Sequence, residues 1–145
     1  IVMTSNLGAS ATGAMGFGAD GGPDFSGAVA KYFRPEFFNR LDAVVTFHGA
    51  LPTPSEEDAE RIKAKLLVCH GAADGFIPET QVLPFRAALE KADVDWQMVY
   101  YAGARHSFTN PDDDARGIDG IKYDKNADVR SWRQMQNLFD EVFGR

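Results

Sequence analysis

The sequence has little of what membrane, nucleic-acid-binding and disulfide-rich proteins require. Its single cysteine, Cys69, excludes an intramolecular disulfide and fits a reducing compartment, so we expect a cytoplasmic location. A net charge of −6 argues against a basic surface for nucleic acid or for an anionic membrane. No apolar run approaches the ~20 residues that a membrane-spanning helix needs. The 145 residues, 44% of them hydrophobic, are enough for one soluble domain over residues 1–145.

The beginning of the chain lacks both an initiator methionine and a signal peptide. The first residues, Ile1-Val-Met-Thr4, are typical of the middle of a buried strand. Residues 8–23 are rich in Gly, Ala and Ser without periodicity, which predicts a loop. We therefore interpret the sequence as a piece taken from a longer protein.

Strand-like and helix-like segments alternate along the rest of the chain. Apolar runs predict four strands, at Ile1–Thr4, Ala43–His48, Leu66–His70 and Trp96–Tyr101. Helical patterns begin near Ser26, at Ser55, where Asp58 completes a capping box, and at Pro78. This order predicts an α/β fold, a three-layer sandwich of about four parallel strands with helices on both faces.

Two features near the end of the chain are interpreted as structural rather than functional. A stripe at helical spacing predicts that the closing helix packs its apolar face on the core; it consists of Val129, Trp132, Met135, Leu138, Phe139, Val142 and Phe143. The run Asp112-Asp113-Asp114 predicts a solvated loop, so we expect no metal site there.

An acid and a histidine follow two consecutive predicted strands. Asp74 comes just after the strand that ends in His70, and His106 follows the strand that ends in Tyr101. Acid and then histidine is the second half of the Ser/Cys…Asp…His order of α/β-hydrolases. The other two histidines, His48 and His70, lie at strand ends without a partner evident from the sequence, and we interpret them as structural.

From about residue 42 the sequence resembles the dienelactone hydrolase family of α/β-hydrolases. The carrying segments are Ala43–Gly49, Leu66–Asp74 and Gly103–Pro111. The resemblance implies a partial α/β-hydrolase architecture, similar to flavodoxin, for residues 43–145. It also implies that Asp74 orients the imidazole of His106, which would take the proton of a nucleophile. The implied partner is a small ester or lactone.

Residues 1–42 resemble a strand–loop–helix segment of Clp-type AAA+ unfoldases. Ile1–Gly8 and Phe33–Asp42 carry this second resemblance, which extends to about residue 47. It implies that Asn6 is a sensor residue and Arg40 an arginine finger. The chain has no Gly-x-x-x-x-Gly-Lys-Ser/Thr loop, so we expect neither ATP binding nor any other cofactor. The two resemblances together predict a chimera, and the absent start favours an engineered one.

The nucleophile that the acid and base would serve is missing from the sequence. No Gly-x-Ser/Cys-x-Gly pentapeptide occurs in it. Ser26 and Asp24, in a segment loosely similar to a hydrolase elbow, are weak candidates, and Cys69 in its buried strand is expected to be inert. We expect a folded chimera without efficient catalysis. The alternatives are a dienelactone hydrolase-like enzyme with residual activity and a module that offers Arg40 to a partner ATPase. An open sheet edge further predicts a homodimer.

Overall fold

The computed structural model describes residues 41–144, which contain a parallel three-stranded sheet in the order β1-β2-β3. The strands are β1 (Ala43–Phe47), β2 (Lys65–Gly71) and β3 (Trp96–Tyr101). Between and after them lie α1 (Glu56–Glu60), α2 (Glu79–Lys91), a 3-10 helix (Pro111–Arg116) and α3 (Lys125–Phe143). The three strands predicted in this range are therefore confirmed, with ends that differ by one residue. The predicted strand Ile1–Thr4 and the helix from Ser26 lie outside the described residues.

The alternation of side chains along β2 divides the interior into two cores. Leu67 and Cys69 pack in one core with Ala127 and Met135 of α3. Val68 packs in the other, with residues of α2, among them Val82, Phe85 and Leu89. Because successive side chains of a strand point to opposite faces, α2 and α3 cover opposite faces of the sheet. This is the predicted three-layer α/β architecture.

Side-chain caps fix the beginnings of α1 and α3. Ser55 accepts a hydrogen bond from the amide of Asp58 at 3.1 Å, so the predicted N-cap at Ser55 is confirmed. The Asp58 carboxylate accepts from the Ser55 hydroxyl at 2.7 Å, where a capping box would have it accept from the Ser55 backbone amide. Asp124 caps α3 by accepting from the amides of Asn126 and Ala127. The sequence predicted Pro78 as the first residue of α2; in the structure Pro78 is the N-cap, and the helix begins one residue later at Glu79.

The apolar stripe of α3 is only partly buried, which corrects the prediction that all of it is core. Met135 is buried, and Leu138 and Phe139 pack against the same core. Val129, Trp132 and Phe143 are instead exposed. In the described part of the chain α3 packs on β1 and β2.

The sequence predicted that the run Asp112-Asp113-Asp114 is a solvated loop, and the structure corrects this prediction in part. Asp113 is buried, and it accepts a hydrogen bond from the hydroxyl of Ser107. The run forms a 3-10 helix capped by Asn110, which turns Asp113 inward toward the loop that follows β3. The sequence pattern did not indicate this hydrogen bond between Ser107 and Asp113.

Leu89 and Leu83 offer a matched test of the core on the α2 face. Leu89 is fully buried and Leu83 is half exposed on the same helix. Leu89→Ala should lower the free energy of unfolding by about 2–4 kcal/mol, because it removes packed methyl groups and leaves a cavity. Leu83→Ala should change it by less than about 1 kcal/mol. Urea denaturation of both variants measures the difference, and equal losses would contradict this description of the core.

Candidate active site

The two residues singled out by their positions after consecutive strands meet at the carboxyl edge of the sheet. Asp74 follows β2 and His106 follows β3, and these strands are neighbours. The Nδ1 atom of His106 lies 2.9 Å from Oδ2 of Asp74. Because an ionised carboxylate can only accept, Nδ1 carries the proton and donates, which leaves Nε2 of the neutral ring as an acceptor.

Asp74 is held in one orientation by backbone amides. Its Oδ1 accepts from the amides of Phe76 at 2.9 Å and Ile77 at 3.1 Å, so that Oδ2 is left for His106. The carboxylate is fully buried, whereas 16% of the His106 side chain is exposed. Burial by itself would raise the pKa of Asp74, but the hydrogen bond and charge of His106 and the two amides together lower it below its usual value. The acid is therefore ionised near neutral pH.

A close backbone approach brings the loops after β2 and β3 together. A Cβ atom at Gly71 would lie 2.5 Å from the carbonyl oxygen of Ala104, so only glycine fits there without a shift of the backbone. The amide of Ala72 donates to Tyr101 at 2.9 Å, and that of Ala73 donates to Ala104 at 2.9 Å. These contacts set the distance between the acid and the histidine.

The imidazole of His106 contacts two other rings. The ring centroids of Phe76 and His48 are each 5.4 Å from that of His106, both in edge-to-face geometry. Gly120 has φ +85°, and a Cβ atom there would lie 2.8 Å from the Phe76 ring. The backbone of His106 is also tied to this segment, since its amide donates to Gly120 and its carbonyl accepts from Lys122.

The structure gives His48 a partner that sequence reasoning missed. Its Nε2 lies 2.8 Å from Oγ1 of Thr109, 61 residues away. Burial first, and then the neighbouring His106, lower the pKa of His48 to about 4. The only sequence signal for this role was the position of His48 at the end of a predicted strand, next in order to the strand that precedes Asp74.

His70 and Cys69 are buried in the end of β2. Burial lowers the pKa of His70, whose Nδ1 has no hydrogen-bond partner among residues 41–144. Cys69 is fully buried, and its sulfur accepts from the hydroxyl of Tyr101 at 3.6 Å. Burial raises the pKa of this thiol to about 11, which fits the inert role expected from the sequence.

The remaining sequence candidates cannot be placed in this site. Ser26, Asp24, Asn6 and Arg40 lie outside the described residues. Within 41–144, no group of three or more His, Cys, Asp or Glu side chains is arranged to hold a metal ion. Among the same residues no helix has both the length and the apolar character to cross a membrane.

The approach at Gly71 can be tested with a neighbouring glycine as control. Gly71→Ala should lower the free energy of unfolding by about 1–3 kcal/mol, because the new methyl group collides with backbone that cannot move aside cheaply. Gly75→Ala should cost less than about 0.5 kcal/mol, since nothing lies within 4 Å of its Cβ position. Thermal and urea unfolding compare the two variants, and a larger loss for Gly75→Ala would contradict the assignment.

The lowered pKa of His48 predicts a stability that falls in mild acid. Between pH 6.5 and about 4 the unfolded chain binds a proton at His48 that the folded chain does not, so stability rises with pH across this window. At pH 5 the cost relative to pH 7.5 should reach about 2 kcal/mol for this residue. His48→Gln should remove that part of the loss, as measured by urea unfolding at both pH values. An unchanged pH dependence in the variant would show that His48 is not the source.

Comparison with known proteins agrees with this geometry. Residues 9–143 match the dienelactone hydrolase family. An uncharacterized protein of Caenorhabditis elegans is 33% identical over 112 residues, which are 73% of this chain and 68% of that protein. Protein usf of Aquifex pyrophilus is 32% identical over 84 residues, 58% of this chain and 36% of that protein.

Two solved structures are similar to the chain over 70% of its length. A dienelactone hydrolase-like promiscuous phosphotriesterase from metagenomic libraries is 43% identical with a TM-score of 0.68, and a protein titled m3DLH is 44% identical with a TM-score of 0.67. The chain spans only 43% and 42% of these two proteins. The family match begins at residue 9 and so includes most of the segment that resembles AAA+ unfoldases, a resemblance that these comparisons do not support. The chain belongs to the dienelactone hydrolase family.

Proposed function

We propose that this chain supplies the general base and the orienting acid of a site that hydrolyses small carboxylic esters or lactones. The 2.9 Å hydrogen bond between His106 and the buried Asp74 carries the proposal. In an imidazole held through Nδ1 by an ionised carboxylate, the other nitrogen is the one that takes a proton. The family to which the chain belongs supports hydrolysis as the reaction class.

In this mechanism Nε2 of His106 removes a proton from the attacking hydroxyl or thiol group, or from water. The oxygen or sulfur adds to the carbonyl carbon of the ester, and the carbonyl electrons move to its oxygen. The intermediate then collapses, the bond to the leaving alkoxide breaks, and the proton on His106 passes to that alkoxide. When the nucleophile is a hydroxyl or thiol group, this leaves an acyl-enzyme, and water completes the hydrolysis: His106 removes a proton from the water, the water oxygen adds to the acyl carbon, and the proton then passes to the departing hydroxyl or thiol group. Asp74 stays ionised throughout and stabilises the imidazolium that forms in between.

The nucleophile sets the rate that such a site can reach. The sequence contains no Gly-x-Ser/Cys-x-Gly elbow, and Ser26 and Asp24 remain weak candidates for the position. If water is the nucleophile, general-base catalysis by His106 alone raises the reaction rate about 10²–10⁴-fold. We therefore expect slow turnover rather than efficient catalysis by this chain.

The substrate class is a proposal because the chain spans only part of the solved relatives. Small esters and lactones come first, on the ground of the family. Phosphate triesters are the second class, because a structure 43% identical to this chain is titled a promiscuous phosphotriesterase. Both classes need a base that activates a nucleophile at an electrophilic centre, and His106 offers the same acceptor nitrogen to each.

The chimeric origin is a separate hypothesis, supported by the likeness of the segments around Asn6 and Arg40 to AAA+ unfoldases. On this hypothesis residues 1–42 form a strand–loop–helix piece joined to a hydrolase part at 43–145, and the chain binds no ATP.

We also expect a homodimer through the open edge of the sheet. A soluble cytoplasmic protein without nucleic-acid or membrane partners is a further expectation. Sedimentation at high concentration would reveal the dimer, and a mass of one chain would count against it.

Ester turnover should depend on the acid and the base together. With a short chromogenic ester, His106→Ala should lower the hydrolysis rate to that of buffer alone. Asp74→Asn should lower the rate at least about tenfold, because the His106 ring then loses its tautomer and orientation. The neighbouring Arg105→Ala, which removes an exposed side chain, is the matched control and should leave the rate unchanged.

The interpretation requires that all three variants are folded, which circular dichroism and a urea midpoint establish. Equal rates for the unmodified chain, His106→Ala and buffer would reject hydrolysis by this chain. Loss in His106→Ala but not in Asp74→Asn would reject the role of the acid.

A further inference from the structure

The residue that follows β1 adopts a backbone conformation that few non-glycine residues take. His48 has φ +43°, in the left-handed region, and it stands directly after Phe47 at the carboxyl edge of the sheet. Such conformations persist where the surroundings enforce them, and they concentrate at functional sites. Here the conformation accompanies a ring that lies beside His106.

The ring of His48 connects β1 to the loop that carries the base. Nε2 lies 2.8 Å from Oγ1 of Thr109, three residues after His106. The same ring contacts Phe108, with centroids 5.3 Å apart in edge-to-face geometry. The loop is therefore held at His106 by Asp74 of the β2 end, and at Thr109 by His48 of the β1 end.

The charge state of His48 suits a residue beside the base. Burial and the proximity of His106 keep the ring neutral near pH 7, while Asp74 and Asp113, the other charged groups that act on it, favour protonation less strongly. A neutral ring offers one donor and one acceptor, so it can bond Thr109 without repelling an imidazolium at His106. A lysine or a protonated histidine at this place would oppose proton uptake by the base.

We propose that His48 is a positioning residue, which through its hydrogen bond to Thr109 holds the His106 loop so that the ring of His106 stays aligned with Asp74. This inference rests on the proposed function, because it assigns His48 a role in that same site. It differs from a purely structural role, in which the ring of His48 would merely fill space against Phe108.

Two changes at Thr109 separate hydrogen bonding from packing. Thr109→Val keeps the shape of the side chain and removes the hydroxyl, whereas Thr109→Ser keeps the hydroxyl and removes a methyl group. His48→Phe keeps a ring in place and removes both nitrogens. If the hydrogen bond matters, Thr109→Val and His48→Phe should behave alike, and Thr109→Ser should resemble the unmodified chain.

The measurement is nuclear magnetic resonance of the chain with ¹⁵N-labelled histidine, which needs neither substrate nor turnover. The Nδ1 proton of His106, assigned by its loss in His106→Gln, should exchange with solvent about 2- to 10-fold faster in Thr109→Val and in His48→Phe, because the loss of one hydrogen bond loosens the loop. Thr109→Ser should restore slow exchange. If the unmodified chain hydrolyses the ester, kcat should fall in Thr109→Val and His48→Phe but not in Thr109→Ser, and KM should change little.

An exchange rate unchanged in Thr109→Val would overturn the proposal, even if the variant unfolds at lower temperature, since that outcome assigns the pair to stability alone. Fast exchange in Thr109→Ser as well would also overturn it. Absence of ester hydrolysis by the unmodified chain would instead reject the proposed function, while the proton exchange of His106 would still decide the role of His48.

Discussion

The close approach of β2 and the loop after β3 is the contact on which the rest of the site depends. Gly71 lies so near the carbonyl of Ala104 that no side chain fits between them. Because the two segments touch through backbone, their separation is set by hydrogen bonds of fixed length rather than by adjustable side chains. The Asp74–His106 distance follows from that spacing, and so does the wall that Phe76 forms on one side of the imidazole.

The two-sided burial of β2 keeps this edge in place. Leu67 and Cys69 fill the core under α3, and Val68 fills the core under α2. A strand covered on both faces cannot slip by one residue without turning its core side chains to the wrong layer. The register of β2 with β1 and β3 therefore fixes which residues emerge at the carboxyl edge. His48, Asp74 and His106 all emerge there, from three different segments.

The charge states in the site follow from the hydrogen-bond partners and neighbouring charges of each buried or half-buried group. Asp74 is buried but receives three hydrogen bonds, so it stays ionised. His48 is half-buried with one hydroxyl partner and a second histidine beside it, so it stays neutral. The site thus combines a fixed negative charge at Asp74, a neutral ring at His48 and the partly exposed imidazole of His106, which contacts both. This arrangement favours a single proton-accepting nitrogen at Nε2 of His106.

The sequence by itself determined the order of strands and helices in residues 41–144, the N-cap at Ser55 and the position of an acid and a histidine after neighbouring strands; their partnership was implied by the family resemblance. These features are local, or follow from the rule that neighbouring parallel strands end at one edge. Only the tertiary structure decided that His48 meets Thr109, that Asp113 is buried and that Trp132 is exposed. Each of these depends on how the segments pack against one another in the folded chain. Periodicity and composition do not predict such contacts, since they describe one segment at a time.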